Sequence, residues 1–300
     1  MATPSDKYGW TSGSLRAKKS PTPRSGPGRG STAVCELFCL SSRVPTVATI
    51  SLRRFAGHGG QGERSIDGWG LALFDGGDVR LYREPSPARD DPWLEFIRTR
   101  RIPSRLLISH IRHATQGAVT LANTQPFVRE IAGRMHCFAH NGHLPCIEKR
   151  HSPAPTHYRP VGDTDSEYAA CLLFESIAAL WRARQLPTLQ ARLAAVTRFA
   201  AHLRELGPAN FLYSDGSALF AHGHRRRQAN GSIAPPGLWR LERSCPVDPD
   251  TLARAGVHLE TTAGPQRLAL VASVPLTDEP WRPLSEGEVI VIEDGVELAP

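Results

Sequence analysis

The chain has 300 residues, 40% of them hydrophobic, which is enough for a substantial core. No run approaches the roughly 18 consecutive apolar residues of a membrane span. The formal net charge of +7 is unevenly placed: residues 1–34 carry six basic side chains against Asp6 alone, and residues 35–300 carry 30 basic against 28 acidic. A near-neutral body behind a basic tail excludes a nucleic-acid recognition surface, and the sequence offers no membrane segment.

Residues 1–34, with Ser20-Pro-Thr-Pro and the run from Ser25 to Gly30, hold too little apolar surface to offset their ordering entropy and are expected to be a disordered extension. They also lack the apolar centre of a signal peptide. Foldable sequence begins at Val34-Cys35. Glu36 to Leu40 is expected to form a short strand, and Arg53 to Ile66, with four glycines, a loop. Trp69 to Phe74 and Val79 to Arg83 flank Asp75-Gly-Gly-Asp78 as a hairpin. Asp91 to Arg101 suits a short helix ending before Pro103, and Arg105 to Arg112 a buried strand. After a loop, Phe127 to Ile131 and Met135 to Ala139 pair around Ala132-Gly133.

A proline-rich loop then leads to Thr164-Asp-Ser-Glu167, a capping-box pattern opening a helix that is expected to reach about Arg184. A second helix follows Pro187 and stops at Gly207-Pro208. Strands resume at Phe211 to Ser214, Ala218 to Ala221, Leu238 to Glu242 and Leu268 to Val274, with a terminal hairpin around Glu293-Asp-Gly295. Strands, two adjacent helices, then strands indicate an α+β arrangement. Cys35, Cys39, Cys137, Cys146, Cys171 and Cys245 show no regular framework and read as reduced thiols of a cytoplasmic protein. Arg225-Arg226-Arg227 reads as a solvated run.

Five local signals stand out: Cys35, Asp67-Gly-Trp-Gly70, Ser109-His-Ile-Arg-His-Ala-Thr115, His140-Asn-Gly142 and Gly162-Asp-Thr-Asp-Ser-Glu167, and the candidate residues within them each have a plainer reading. Cys35 is either a small core residue or, at a chain terminus, a nucleophile joined to its own base. An α-amino group titrates near 7.7–8.0, whereas an amide nitrogen at the same place is not basic. Arg112, leaving a strand, is either a structural ion-pair partner or a planar fork for a carboxylate. Asn141-Gly142 is either a turn or two donors aimed at an oxyanion. Asp165, in the first turn of a helix, is either a helix-start charge or the partner of a substrate ammonium. Cys137, His140, His143 and Cys146, spaced by three, suggest zinc, but Cys137 and His140 point to opposite faces if the strand continues.

Taken together and in order, Cys35-Glu-Leu-Phe, Asp67-Gly-Trp-Gly, His110-Ile-Arg-His-Ala-Thr115, Asn123-Thr-Gln-Pro-Phe127, His140-Asn-Gly142 and Asp163-Thr-Asp-Ser-Glu167 resemble the class II glutamine amidotransferases of the N-terminal nucleophile hydrolase superfamily. Their stand-alone bacterial subgroup is the most similar, over about residues 35–300. The resemblance implies a four-layer α/β/β/α sandwich of two antiparallel sheets. It also implies that Cys35 attacks the side-chain amide of glutamine or a γ-glutamyl compound through a glutamyl thioester. Asn141 and Gly142 match the oxyanion hole, while Arg112, Thr115 and Asp165 match the substrate-binding residues. No metal or organic cofactor is implied; the acceptor stays open between release of ammonia, transfer to an ammonia-accepting synthase chain as partner, and hydrolysis of a different γ-glutamyl amide.

The departure is the extension before Cys35. Its expected origin is a codon read as Val34 that serves as an alternative start, followed by trimming. A cleaved propeptide and an internal, inactive Cys35 are the alternatives. The competing reading of the whole chain is a non-enzymatic zinc-binding or pseudoenzyme interaction module.

Overall fold

The computed structural model describes residues 35–50, 67–87, 91–113, 117–150, 154–181, 185–244, 257–261 and 266–299. The expectations for the extension at 1–34, the glycine-rich loop at 53–66 and Thr115 lie outside them. In chain order the first strands are β1 (Glu36–Ile50), β2 (Gly68–Asp75), β3 (Asp78–Glu84), β4 (Pro103–Arg112), β5 (Phe127–Ile131) and β6 (Arg134–Gly142). Helix α1 (Pro92–Arg100) precedes β4, and α2 (Ile147–Arg150), α3 (Asp165–Ala178) and α4 (Leu189–Leu206) follow β6. The later strands are β7 (Ala209–Ser214), β8 (Leu219–His222), β9 (Arg226–Arg227), β10 (Ile233–Ala234), β11 (Trp239–Ser244), β12 (Val257–Thr261), β13 (Arg267–Ala272), β14 (Arg282–Pro283), β15 (Val289–Glu293) and β16 (Val296–Leu298).

Two antiparallel sheets result. One runs β14-β11-β13-β1-β4-β2-β3, with β12 also on β1; the other runs β16-β15-β8-β7-β6-β5. The period-2 alternation of each strand assigns its residues to layers. On β1, Leu37 and Cys39 turn inward to meet Ile108, Ala139, Leu212 and Val271 between the sheets. Phe38 and Leu40 turn outward into a cluster with Trp69, Leu71, Ile111 and Leu270, which Leu94 and Ile97 of α1 help to cover. On the far side Phe138, Phe211 and Tyr213 pack under Phe174 and Ile177 of α3 and Phe199 and Leu203 of α4. The order is α/β/β/α, as the resemblance implied. Among the described residues the outer helical layer on this side is the nine-residue α1, the short helix expected from Asp91 to Arg101.

Three elements depart from expectation. β1 is a 15-residue strand that passes through Pro45 with a register shift between Ser41 and Thr46, so a bulge absorbs what reads as a strand end. β6 continues through His140, Asn141 and Gly142 because β7 supplies ladder partners that the local sequence cannot show. α3 ends at Ala178, ahead of the expected Arg184. Thr164 caps that helix as predicted, accepting from Glu167 N at 3.2 Å. The Glu167 side chain binds Arg129 Nη2 at 2.9 Å and Gly162 N at 2.7 Å instead of completing the box. Among the described residues no helix is long and apolar enough to cross a membrane.

Candidate active site

Cys35 stands at the start of β1, the strand lying between β13 and β4 inside its sheet. Its sulfur meets the main chain of His113, accepting from the nitrogen at 3.3 Å and donating to the oxygen at 3.4 Å. Burial pushes the thiol up to about 11, against a downward pull from the His113 main chain and the Arg112 cation. A thiol in that condition is protonated at neutral pH, so attack requires a base that can take its proton.

Asn141 and Gly142 belong to the other sheet, and Asn141 reaches the Cys35 main chain from it. Asn141 Nδ2 lies 2.5 Å from the Cys35 carbonyl oxygen, joining residues 106 apart in sequence. The close passage of β6 by the chain before β7 explains why residue 142 is glycine: a Cβ there would stand 1.9 Å from the Pro208 carbonyl oxygen and 2.7 Å from His140 Nε2. The end of β6 is then tied to the start of α3. Asp165 Oδ2 accepts from Leu144 N at 2.7 Å, and His140 Nδ1 meets Ser166 Oγ at 2.9 Å. Burial pushes His140 down to about 4, so its ring is neutral and serves here as a hydrogen-bonding strut.

Arg112, at the end of β4, is buried, and it donates to the carbonyls of Ala118 at 3.0 Å and Gly117 at 3.3 Å. Asp67 N donates to the Arg112 carbonyl at 2.9 Å, fixing its main chain. Asn123 extends the connection: its Nδ2 donates to the same Ala118 carbonyl at 3.0 Å and to Asp163 Oδ1 at 2.6 Å, and Asp163 N returns a bond to its Oδ1 at 3.0 Å. One buried amide thus joins the loop that frames Arg112 to the turn that leads into Asp165. Gln125 supplies a second strut, bonding both the N–H and the carbonyl of His140, at 2.6 and 3.0 Å. A Cβ on Gly70 would stand 2.0 Å from the Gln125 carbonyl oxygen, which accounts for the last glycine of Asp67-Gly-Trp-Gly70.

The structure therefore brings Cys35, Arg112, Asn141, Gly142 and Asp165 to one end of the sandwich; Thr115 lies outside the described residues. It also adds groups that sequence reasoning missed. Glu36 is buried and pairs with Arg226 at 2.9 Å, and Arg226 Nη1 donates to the Ser273 carbonyl at 2.6 Å. Arg226 is accordingly not part of a solvated run: Arg225 is exposed and bonds Glu286, whereas Arg226 is an internal ion. Nothing in the local sequence distinguishes the two arginines. Burial pushes the Glu36 carboxyl up to about 7 despite Arg226. The zinc alternative loses its geometry: Cys137 faces the layer between the sheets, while His140 faces α3 and Cys146 is exposed. Among the described residues no group of three or more His, Cys, Asp or Glu is placed to hold a metal ion.

Comparison with known proteins gives the family. Residues 34–299 match the family described as class-II glutamine amidotransferases. The chain is 31% identical over 263 residues to the Escherichia coli K12 protein named "Putative glutamine amidotransferase YafJ", covering 85% of this chain and 96% of that one. A Haemophilus influenzae protein of similar name is 30% identical over 269 residues, covering 89% and 86% of the two chains. A solved structure from Pseudomonas aeruginosa PA01, a "predicted glutamine amidotransferase", shares 30% identity and a TM-score of 0.64 over 89% of this chain and all of that one. The glutamine phosphoribosylpyrophosphate amidotransferase of Bacillus subtilis, at 17% identity and a TM-score of 0.53 over 88% of this chain and 48% of that one, shares the fold. With a family match running over residues 34–299 and relatives of about 30% identity covered over most of their length, the chain belongs to the class II glutamine amidotransferase family.

Proposed function

We propose that the working protein begins at Cys35 and hydrolyses the side-chain amide of glutamine or a γ-glutamyl compound. The observation that carries this reading is the meeting of Asn141 Nδ2 with the Cys35 main chain at 2.5 Å, which sets an amide donor beside the nucleophile's own backbone. The start at Cys35 supplies what the buried thiol lacks. A free α-amino group there titrates near 7.7–8.0 and accepts the thiol proton, directly or through one water.

The thiolate then adds to the amide carbon of the substrate, and the carbonyl π electrons move onto oxygen. Asn141 Nδ2 and the Gly142 N–H receive that oxyanion. Collapse breaks the C–N bond, the Cys35 ammonium protonates the leaving nitrogen, and ammonia or an amine departs from a glutamyl thioester. Water, deprotonated by the same amine, adds to the thioester; the C–S bond breaks and the carboxylate product leaves.

At the other end of the substrate, Arg112 pairs with the α-carboxylate. Its contacts to Gly117 and Ala118 orient the guanidinium plane, and the fork has five N–H donors in all. Asp165 takes the α-ammonium, its oxygens retaining lone pairs beyond those used by Leu144 N and Ser166 Oγ. Thr115 completes the substrate contacts. Ammonia passes to water or to a synthase chain acting as partner.

The test uses protein produced to begin at Cys35. Ammonia or amine release from glutamine and a panel of γ-glutamyl peptides is expected, together with stoichiometric labelling of Cys35 by a glutamine-mimicking chloroketone. Both signals should vanish in Cys35→Ala, and both should be absent from protein that retains Val34. Mature protein from the native host should begin at Cys35. Retention of residues 1–34 in active enzyme would overturn the terminal-nucleophile mechanism, and the absence of both labelling and release from the Cys35-start protein would overturn the hydrolase reading.

A further inference from the structure

The peptide between Asn141 and Gly142 has two faces, and the register of β6 on β7 decides which way each points. Asn141 pairs with Asn210 and Gly142 with Ala209. His143 N donates to the Pro208 carbonyl at 3.0 Å, so residues 143 and 208 form a hydrogen-bonded pair. Bonded and non-bonded pairs alternate in an antiparallel ladder. Asn141 with Asn210 is then a bonded pair, and Gly142 with Ala209 is not. The Asn141 carbonyl faces β7, and the Gly142 N–H, on the same peptide unit, faces away. On that far side the pairing of β5 with β6 has already ended at Phe127 with Phe138.

Asn210 acts on this peptide from the carbonyl side. Its side chain is buried, and its Nδ2 donates to the Asn141 carbonyl at 3.1 Å and to the Arg225 carbonyl at 2.7 Å. Its Oδ1 accepts from His224 N at 2.8 Å. Three main-chain bonds hold one amide plane, and the residue beside it is cleared to admit it. A Cβ on Gly237 would stand 1.6 Å from Asn210 Oδ1. A peptide whose carbonyl accepts a further hydrogen bond is polarised, and its N–H becomes a stronger donor.

We propose that Asn210 is a positioning residue for the oxyanion hole, gripping and polarising the Asn141–Gly142 peptide so that the Gly142 N–H is aimed at the charge that develops during attack. The inference rests on the assignment of Asn141 and Gly142 given under the proposed function. Asn210 touches neither substrate nor reacting atoms. Its effect belongs to the transition state and leaves ground-state binding alone.

The experiment uses protein beginning at Cys35 and two variants that reach Asn210 from different sides. Asn210→Asp keeps the shape and the acceptor for His224 N but loses both donations. Gly237→Ala leaves Asn210 in place chemically and displaces its amide. For each, kcat and KM with glutamine are measured, along with affinities for glutamate and for glutamate γ-semialdehyde. The aldehyde binds by adding the Cys35 thiol across its C=O: a C–S bond forms, the π bond breaks, and the oxygen occupies the oxyanion position.

Both variants are expected to lose about tenfold in kcat and about tenfold in aldehyde affinity, with KM and glutamate affinity changed less than about twofold. An unchanged aldehyde affinity would overturn the proposal. So would a loss of aldehyde affinity matched by the loss for glutamate and by a lowered melting temperature, which is the pattern of general disruption. Asn141→Ala separates the two levels of the argument. If Asn141→Ala loses aldehyde affinity and the Asn210 and Gly237 variants do not, this proposal fails and the oxyanion hole stands. If Asn141→Ala also keeps wild-type aldehyde affinity, the oxyanion-hole assignment fails and the role of Asn210 falls with it.

Discussion

Replacing Arg226 by methionine tests whether the ion pair beside Cys35 is needed to tolerate a buried charge. Arg226 is 7% exposed and Glu36 1%. Glu36 lies 2.9 Å from the guanidinium, yet desolvation outweighs the pairing and holds its carboxyl at about 7 instead of 4.5. The folded pKa is raised, so the folded state binds this proton more tightly than the unfolded chain does. The resulting stability is fully present below about pH 4.5 and is lost as pH rises through 7. The gap is worth about 3 kcal/mol between those limits.

Arg226→Met removes the group that holds the carboxyl down, so the pKa rises further and the high-pH loss grows. At pH 8 the variant must leave a buried carboxylate without its cation or protonate it, at a cost of about 3–5 kcal/mol. At pH 5 Glu36 is protonated in both folded proteins. What remains is the loss of the bonds to the Ser273 carbonyl and to the neutral Glu36 carboxyl, each worth about 1–2 kcal/mol. Urea denaturation of wild type and variant at both pH values reads the difference directly, because other titrating groups cancel between the two proteins. A cost equal at pH 5 and pH 8 would refute the reasoning, as would a pH dependence that survives addition of Glu36→Gln.

Two further substitutions test the site in protein beginning at Cys35. Gly142→Ala sets a methyl 1.9 Å from the Pro208 carbonyl oxygen, so β6 must shift where its N–H is aimed. The expected result is a loss of about 10²-fold or more in kcat with Cys35 still alkylated by a small thiol reagent; wild-type kcat would show that this peptide takes no part. Asp165→Asn keeps an oxygen for Leu144 N but removes the charge offered to the substrate ammonium. The KM for glutamine is expected to rise by about ten- to hundredfold, the worth of a hydrogen bond to a charged group, and an unchanged KM would return Asp165 to a helix-start charge.

How much of this was legible in the sequence depended on whether a residue's partner lies nearby in the chain. The β2–β3 hairpin, the cap at Thr164 and the two helices under Phe138 and Phe211 follow from local turn chemistry and periodicity. The extension of β6 through Gly142 was not legible, because its ladder is made with β7, some seventy residues away. Asn141-Gly142 reads as a turn for the same reason. The ordered motifs located Cys35, Arg112, Asn141, Gly142 and Asp165, but not why Asn123 and Gln125 accompany them. Those two are struts, joining Asp163 and His140 across 40 and 15 residues. Arg226 and Asn210 had no signal at all. One sits in an arginine run and the other beside a strand start, and only burial against Glu36 and Asn141 gives them meaning.

The proposed start at Cys35 would place a nucleophile at a chain terminus, and termini fray unless they are tied down. The topology around Cys35 supplies such ties. β1 is an interior strand, so the residues after Cys35 are laddered on both sides, to β4 through Glu36 with Ile111 and to β13 from Phe38 with Ala272 onward. Beyond the ladder, Leu37 N donates to Ser273 Oγ at 2.9 Å, and Ser273 N donates to the Leu37 carbonyl at 3.0 Å. Arg226 spans Glu36 and the Ser273 carbonyl, adding a charged clamp one residue from the sulfur. Cys35 and the Asn141–Gly142 peptide lie at the ends of strands in different sheets, so their separation is set by the layer between the sheets. That layer includes Cys39, Ala72, Ala139, Ala221 and Ala269, small side chains that let the sheets approach. The same inter-sheet core that stabilises the fold therefore sets the distance across which Cys35 and Asn141 meet.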